Sequence, residues 1–311
     1  SFKGWPVSTT HSIVGAIVGF AAVGVSPDAV NWGKVGTIVM SWLVSPIMAG
    51  TLSFALFRSV QHLILLQDDP FTKAKRYIPI YMFFVGFLIA MVTLLKGLKH
   101  VFKDNGMSLT FLDSALIASV VGVLVAILGS YLLSKVKRDL SLETDNRFAN
   151  VERVFAVLMI FTACSMAFAH GSNDVANAVG PLAAINEAVM HGAVAAKASI
   201  PLWVMMVGAI GIALGLALYG PKLIRTVGSE ITELDQSRAF CIAMAAAITV
   251  IFATQFGLPV SSTHIAVGAV FGVGFLREYL KTSHHQRLHE IKSHHQGVDE
   301  KIVESYLTRF E

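Results

Sequence analysis

Charge is absent from long stretches of this chain. No Asp, Glu, Lys or Arg occurs in residues 4–27, 35–57, 77–95, 114–134, 154–173, 198–221 or 239–276. A helix needs about 20 apolar residues to cross a hydrocarbon core of roughly 30 Å. The last run is long enough for two crossings, separated at Gly257-Leu258-Pro259. With a weaker segment around 175–192, the pattern predicts about nine membrane segments. Inside lipid every backbone polar group must be satisfied within the chain, and uninterrupted apolar runs achieve this as helices. The expected fold is an all-α polytopic membrane protein.

Composition agrees. Hydrophobic residues make up 54% and charged residues 14%, with a mean hydropathy of +0.65, whereas about a quarter of a soluble domain is charged. The net charge of +4 reflects Lys and Arg gathered in loops, so the expected partner is the lipid bilayer and not nucleic acid. Cys164 and Cys241 fall inside apolar segments and read as buried free thiols. No metal site is expected. The 58–76 loop carries Arg58, Lys73, Lys75 and Arg76, and the 135–153 loop carries Lys135, Lys137, Arg138, Arg147 and Arg153. The 96–111 loop has only Lys96, Lys99 and Lys103. The first two loops are therefore expected in the cytoplasm.

The chain repeats itself. Pro6 to Gly19, PVSTTHSIVGAIVG, and Pro259 to Gly272, PVSSTHIAVGAVFG, agree at most positions at a constant offset. Paired repeats characterise secondary transporters, whose substrate site lies at the repeat interface near the bilayer midplane. The expected organisation is a first repeat over 1–134, a cytoplasmic linker over 135–153, a second repeat over 154–277 and a polar helical cytoplasmic tail over 278–311. The tail histidines are interspersed with Arg, Lys and Glu, which favours a solvated amphipathic helix over a metal site. Symmetry also predicts a segment before Ser1 with its own Asn-Asp motif, and a final span after the tail.

Two motifs carry chemistry. In GSNDVANAVGP, Gly171, Gly180 and Pro181 predict a broken helix that frees backbone groups for a ligand. Asn173, Asp174 and Asn177 share a helix face there. A carboxylate inside the membrane costs roughly 2.5–3.5 kcal/mol on insertion scales, which marks Asp174 as functional; the alternative is an N-cap for a following helix. In LPVSSTH, Pro259 followed by Ser261, Ser262 and Thr263 predicts a half-helix start with free N–H groups and hydroxyls, a site for an anion. Ser8, Thr9 and Thr10 are the matching set in the first copy. Neither motif contains Lys or Arg, so an anion must be held by dipoles, hydroxyls and a co-bound cation. His11 and His264 read as proton sites or, more simply, as packing histidines.

These motifs resemble the signatures of the inorganic phosphate transporter (PiT) family, and the resemblance covers nearly the whole chain. The family pattern GANDVANA stands here as Gly171-Ser-Asn-Asp-Val-Ala-Asn-Ala178, with Ser172 in place of Ala. The resemblance implies an inverted-repeat symporter with half-helices at the midplane that moves inorganic phosphate with Na+ or H+ and needs no cofactor. Ser8, Thr9, Thr10, Ser261, Ser262 and Thr263, with Asn173 and Asn177, are the expected phosphate contacts. Asp174, Asn173 and Asn177 are the expected ligands of the coupling cation. A metal–phosphate complex as cargo, a homo-oligomer, and placement in a bacterial inner membrane all fit this expectation. Competing functions are a passive anion channel, a surface receptor, or an intramembrane hydrolase using Ser261 or Ser262 with His264. Two copies of such an active site in one chain argue against the hydrolase.

Overall fold

The computed structural model describes residues 7–94, 110–143, 148–191, 200–230 and 235–294. Among them there is no strand. The helices are α1 (Thr9–Phe20), α2 (Trp32–Val60), α3 (Pro70–Val92), α4 (Phe111–Ser134), a short α5 (Leu140–Glu143), α6 (Ala149–His191), α7 (Leu202–Glu230), α8 (Gln236–Gln255) and α9 (Ser262–His294). Each well-defined start has a sequence reason. Asn31, Asp69 and Asp235 accept bonds from the first turns of α2, α3 and α8, and Thr110 forms a reciprocal capping box with Asp113 at α4. Pro6, the loop lysines Lys96, Lys99 and Lys103, Arg147 and the tail beyond His294 lie outside the described residues.

Among the described residues, six helices are long and apolar enough to cross a membrane: Trp32–Leu65, Pro70–Val92, Phe111–Ser134, Ala149–Met190, Leu202–Lys222 and Gln236–Thr254. Two further elements have shorter apolar stretches. Thr9–Val25 is apolar but brief, and α9 has only its first turns, up to Leu276, free of charge. The nine-segment expectation divides 154–173 from 175–192, whereas the structure joins them in α6.

That joining corrects the expected break at GSNDVANAVGP. The helix passes through Gly171, Gly180 and Pro181 without interruption. An interior glycine costs only about 1 kcal/mol relative to alanine, and a proline removes one ladder bond. Packing of α6 against α8, α3, α7 and α1 outweighs that cost. The discontinuity lies instead at Phe256–Ser261, between α8 and α9. Gly257 turns the chain there with φ of +65°, a left-handed value that a side chain disfavours. Pro259 precedes the start of α9 by three residues and is not its first helical residue.

The α2–α9 contact positions this turn. Gly268 lies against the Pro46 carbonyl and Gly272 against the Gly50 carbonyl and the Ser53 hydroxyl, so the two backbones approach as only small residues allow. The Ser53 hydroxyl donates to the Ala269 carbonyl at 2.7 Å, sealing the contact. Around it lies a layer of small and branched residues, among them Ala49, Ala169, Ala245, Val250, Ile265 and Ala269. Toward the other end of the bundle the core becomes bulky, with Phe155, Phe240, Ile78 and Met82 fully buried.

Candidate functional site

The two repeated segments meet at their equivalent positions. The Thr10 hydroxyl donates to the Val260 carbonyl at 2.9 Å, and the Thr263 hydroxyl donates to the Val7 carbonyl at 3.3 Å. These bonds join equivalent positions of the two copies in reciprocal fashion, as a two-fold relation requires. Ser8 and Ser261 are equivalent too, and both do the same job. Each hydroxyl accepts the backbone N–H three residues on, from His11 and from His264, at 3.2 Å. The serines therefore cap α1 and α9, leaving the first N–H groups of both helices unused by the ladder. The His11 and His264 rings touch, with centroids 4.5 Å apart. His11 also packs on Trp42 at 3.8 Å, and its Nε2 is buried without a hydrogen-bond partner among the described residues. This geometry favours the packing role for the histidine pair.

Asp174 reaches this junction from the middle of α6. About 37 Å of helix precedes it and about 25 Å follows, so it caps nothing. One oxygen accepts from Asn173 Nδ2 at 3.1 Å, and the other lies 2.7 Å from His170 Nε2. Asn173, itself buried, also donates to the Val260 carbonyl at 3.1 Å. Asn177 donates to the Thr10 hydroxyl at 2.8 Å. Helical spacing thus puts one carboxylate and two amides on the seam between α1 and the α8–α9 turn. Thr10, Ser261 and Ser262 are buried, Ser8 and Thr263 partly so, and Thr9 is exposed.

His170 and Trp42 were not anticipated by the sequence reading. His170 stands one helical turn before Asp174, an i, i+4 spacing that could have revealed it. Its Nε2 also lies 3.0 Å from the Ser262 hydroxyl, so the carboxylate on α6 is tied to the start of α9. Trp42 donates from its indole to the Pro259 carbonyl at 2.9 Å and so holds the turn against α2.

Ser262, His170 and Asp174 have the residue types of a hydrolytic triad but not its wiring. A relay needs the serine and the carboxylate on different ring nitrogens. Here both partners face Nε2, and one nitrogen cannot take the serine proton while giving its own to the acid. The Ser261–His264 pairing is not wired for it either: Ser261 meets the His264 main chain, while the His264 ring packs against His11.

Replacing Thr10 with valine tests the seam. The substitution keeps the shape, removes the donor to Val260 and strands the Asn177 amide. We expect a loss of about 1–3 kcal/mol, read as a lowered midpoint of thermal unfolding in detergent. Thr9→Val, at an exposed position, should leave the midpoint in place.

Fold and site together define a polytopic helical membrane protein with two paired half-helix starts facing a half-buried acid. A profile of the phosphate transporter family matches residues 1–308. The chain belongs to that family. It is 44% identical over 275 residues to a Haemophilus influenzae protein named "Putative phosphate permease", covering 88% of this chain and 64% of that one. A Helicobacter pylori protein of the same name is 42% identical over 315 residues, covering 99% of this chain and 57% of the relative. A solved structure titled "The sodium-dependent phosphate transporter" superposes with a TM-score of 0.78 at 36% identity, over 88% of this chain and 65% of that chain. The chain thus spans roughly three fifths of the length of the proteins it matches.

Proposed function

We propose that this chain forms the substrate-binding core of an inorganic phosphate symporter driven by a sodium or proton gradient. The observation that carries the reading is Asp174. Its carboxylate meets His170 and Asn173, whose amide also donates to the Val260 carbonyl, at the junction where two capped half-helix starts meet. A carboxylate with amide and hydroxyl neighbours suits Na+ or H+, and the sodium-dependent structural relative favours Na+. Phosphate would lie against the first N–H groups of α1 and α9, where the partial positive ends of both helices converge. Thr9, Thr10, Ser262 and Thr263 contribute hydroxyls, while Ser8 and Ser261 set the helix starts. Asn173 and Asn177 bridge the two ligands.

The acid explains coupling. Cation binding at Asp174 neutralises a charge that would repel phosphate, so each ligand strengthens the other, and the effect is reciprocal. Inverted repeats with a central site support alternating access by rocking of one repeat against the other, with the axis in the membrane plane. Under this reading the 58–76 and 135–153 loops and the tail share the cytoplasmic side of the cell membrane. A bare anion and a metal–phosphate complex both fit the hydroxyl lining as cargo.

The test is uptake of radiolabelled phosphate into proteoliposomes under imposed sodium or proton gradients. We expect saturable uptake that one of the two gradients accelerates. Unlabelled phosphate should compete, and sulfate should not. Ser and Thr oxygens can accept a hydrogen bond from a protonated phosphate, which sulfate does not offer at neutral pH. Equal competition by both anions, or flux indifferent to either gradient, would overturn the assignment.

A further inference from the structure

We infer that the corner between the start of α3 and the end of α4 is a binding site for an anionic phospholipid. Two basic triplets converge there. Lys73, Lys75 and Arg76 lie in the first two turns of α3, and Lys135, Lys137 and Arg138 follow α4. Their convergence is fixed by contacts. The Lys75 ammonium donates to the Val136 carbonyl at 2.5 Å, and Arg138 meets Asp69 at 3.4 Å. Lys75 and Arg138 also flank one aromatic ring, that of Phe71, at 4.9 and 5.9 Å. Arg76, Lys135 and Lys137 stand exposed beside this pinned pair.

The acidic residues nearby do not cancel the charge. Asp69 accepts from the Thr72 hydroxyl and pairs with Arg138, and Asp139 accepts from Ser141. Hydrogen bonding from the Thr72 hydroxyl, with Arg138 adding to it, holds the Asp69 carboxyl below the ordinary carboxylate range. Six basic residues face Asp68, Asp69 and Asp139, a surplus of three positive charges.

Charge alone would suit any phosphate, free or esterified. The face of α4 below the corner selects the lipid. Leu124, Leu128 and Tyr131 are 60%, 48% and 57% exposed, and with Lys135 they fall on one side of the helix. The Lys135 ammonium sits 4.3 Å over the Tyr131 ring. From Leu124 to Lys135 the stripe is about 16 Å long, close to the half-thickness of a roughly 30 Å hydrocarbon core. It therefore offers one acyl chain its length, an aromatic at the headgroup level and a cation beyond it. Ammonium and guanidinium donors then hold the phosphodiester by charge-assisted bonds.

Native mass spectrometry of the detergent-solubilised protein tests this, with phosphatidylglycerol, phosphatidylcholine of the same chains, and inorganic phosphate as probes. We expect retention of phosphatidylglycerol over phosphatidylcholine. The double variant Lys135→Gln/Lys137→Gln should weaken retention by about fivefold for each charge removed. Lys34→Gln, at the opposite end of α2 from the turn leading into α3, should retain the lipid like the parent protein. Unchanged helical circular dichroism would show that the exposed double variant folds. The inference falls if phosphatidylcholine is held equally well, if the double variant keeps the lipid, or if millimolar inorganic phosphate displaces it.

Discussion

Asp174→Asn should cut gradient-driven phosphate uptake by one to two orders of magnitude while leaving the protein folded, from about 1.5–3 kcal/mol of lost cation binding. Asparagine keeps the volume and one acceptor oxygen, so it can still receive the Asn173 amide. It loses the charge that a cation requires, while its amide can still hydrogen-bond His170 Nε2. A charge-assisted interaction with the bound cation contributes about 1.5–3 kcal/mol, so coupled transport should fall by roughly 10- to 100-fold. The site is mid-helix and its neighbours are amides and hydroxyls, which tolerate a neutral residue. Thermal unfolding in detergent should therefore stay near the parental midpoint. Parental uptake rates in this variant, at saturating sodium and across a proton gradient, would remove Asp174 from the coupling site.

Gly272→Ala should separate α2 from α9 and strongly destabilise the bundle. A Cβ at Gly272 would lie 2.1 Å from the Gly50 carbonyl and 2.2 Å from the Ser53 hydroxyl, and one at Gly268 would lie 2.4 Å from the Pro46 carbonyl. Backbone oxygens cannot rotate aside, so the helices themselves must move. Overpacking of this kind costs about 1–3 kcal/mol when the core can adjust, and here it also strains the Ser53 bond to Ala269. Gly274→Ala is the control, since nothing lies within 4 Å of a Cβ there. A lowered unfolding midpoint for Gly272→Ala with an unchanged one for Gly274→Ala would establish the contact. Equal midpoints would refute it.

Much of this was legible in the chain, for identifiable reasons. Membrane spans follow from the absence of charge, a signal that survives without knowledge of packing. The seam between the repeats was legible because Thr10 and Thr263 sit in a doubled motif whose chemistry differs from its apolar surroundings. Asn173, Asp174 and Asn177 were placed on one face by helical spacing, and the structure keeps them there. Glycine and proline mislead about the course of α6 because they report local propensity, whereas the neighbouring helices decide whether a ladder continues. The Val260 carbonyl, which takes bonds from Thr10 and Asn173, has no signature in sequence at all. Any residue carries a carbonyl, and only the turn at Gly257 aims this one. His170 was readable by spacing but was eclipsed by the two motif histidines, which turn out to pack on each other.

The prolines left inside unbroken helices have a chemical consequence. Proline has no amide hydrogen, so the carbonyl four residues earlier cannot receive its usual ladder bond. Pro46 lies within α2 and Pro181 within α6. The oxygens deprived of a donor are those of Trp42 and Asn177, two residues whose side chains already brace the seam. Each helix thus continues past its proline with one main-chain oxygen that the ladder leaves over, and that of Asn177 follows Asp174 by one turn of α6. Hard monovalent cations are solvated by such neutral oxygens, which add coordination without adding charge. A dehydrated ion beside Asp174 would then face a mixed shell, one formal negative charge and several dipoles, and could be released again without breaking a strong ion pair.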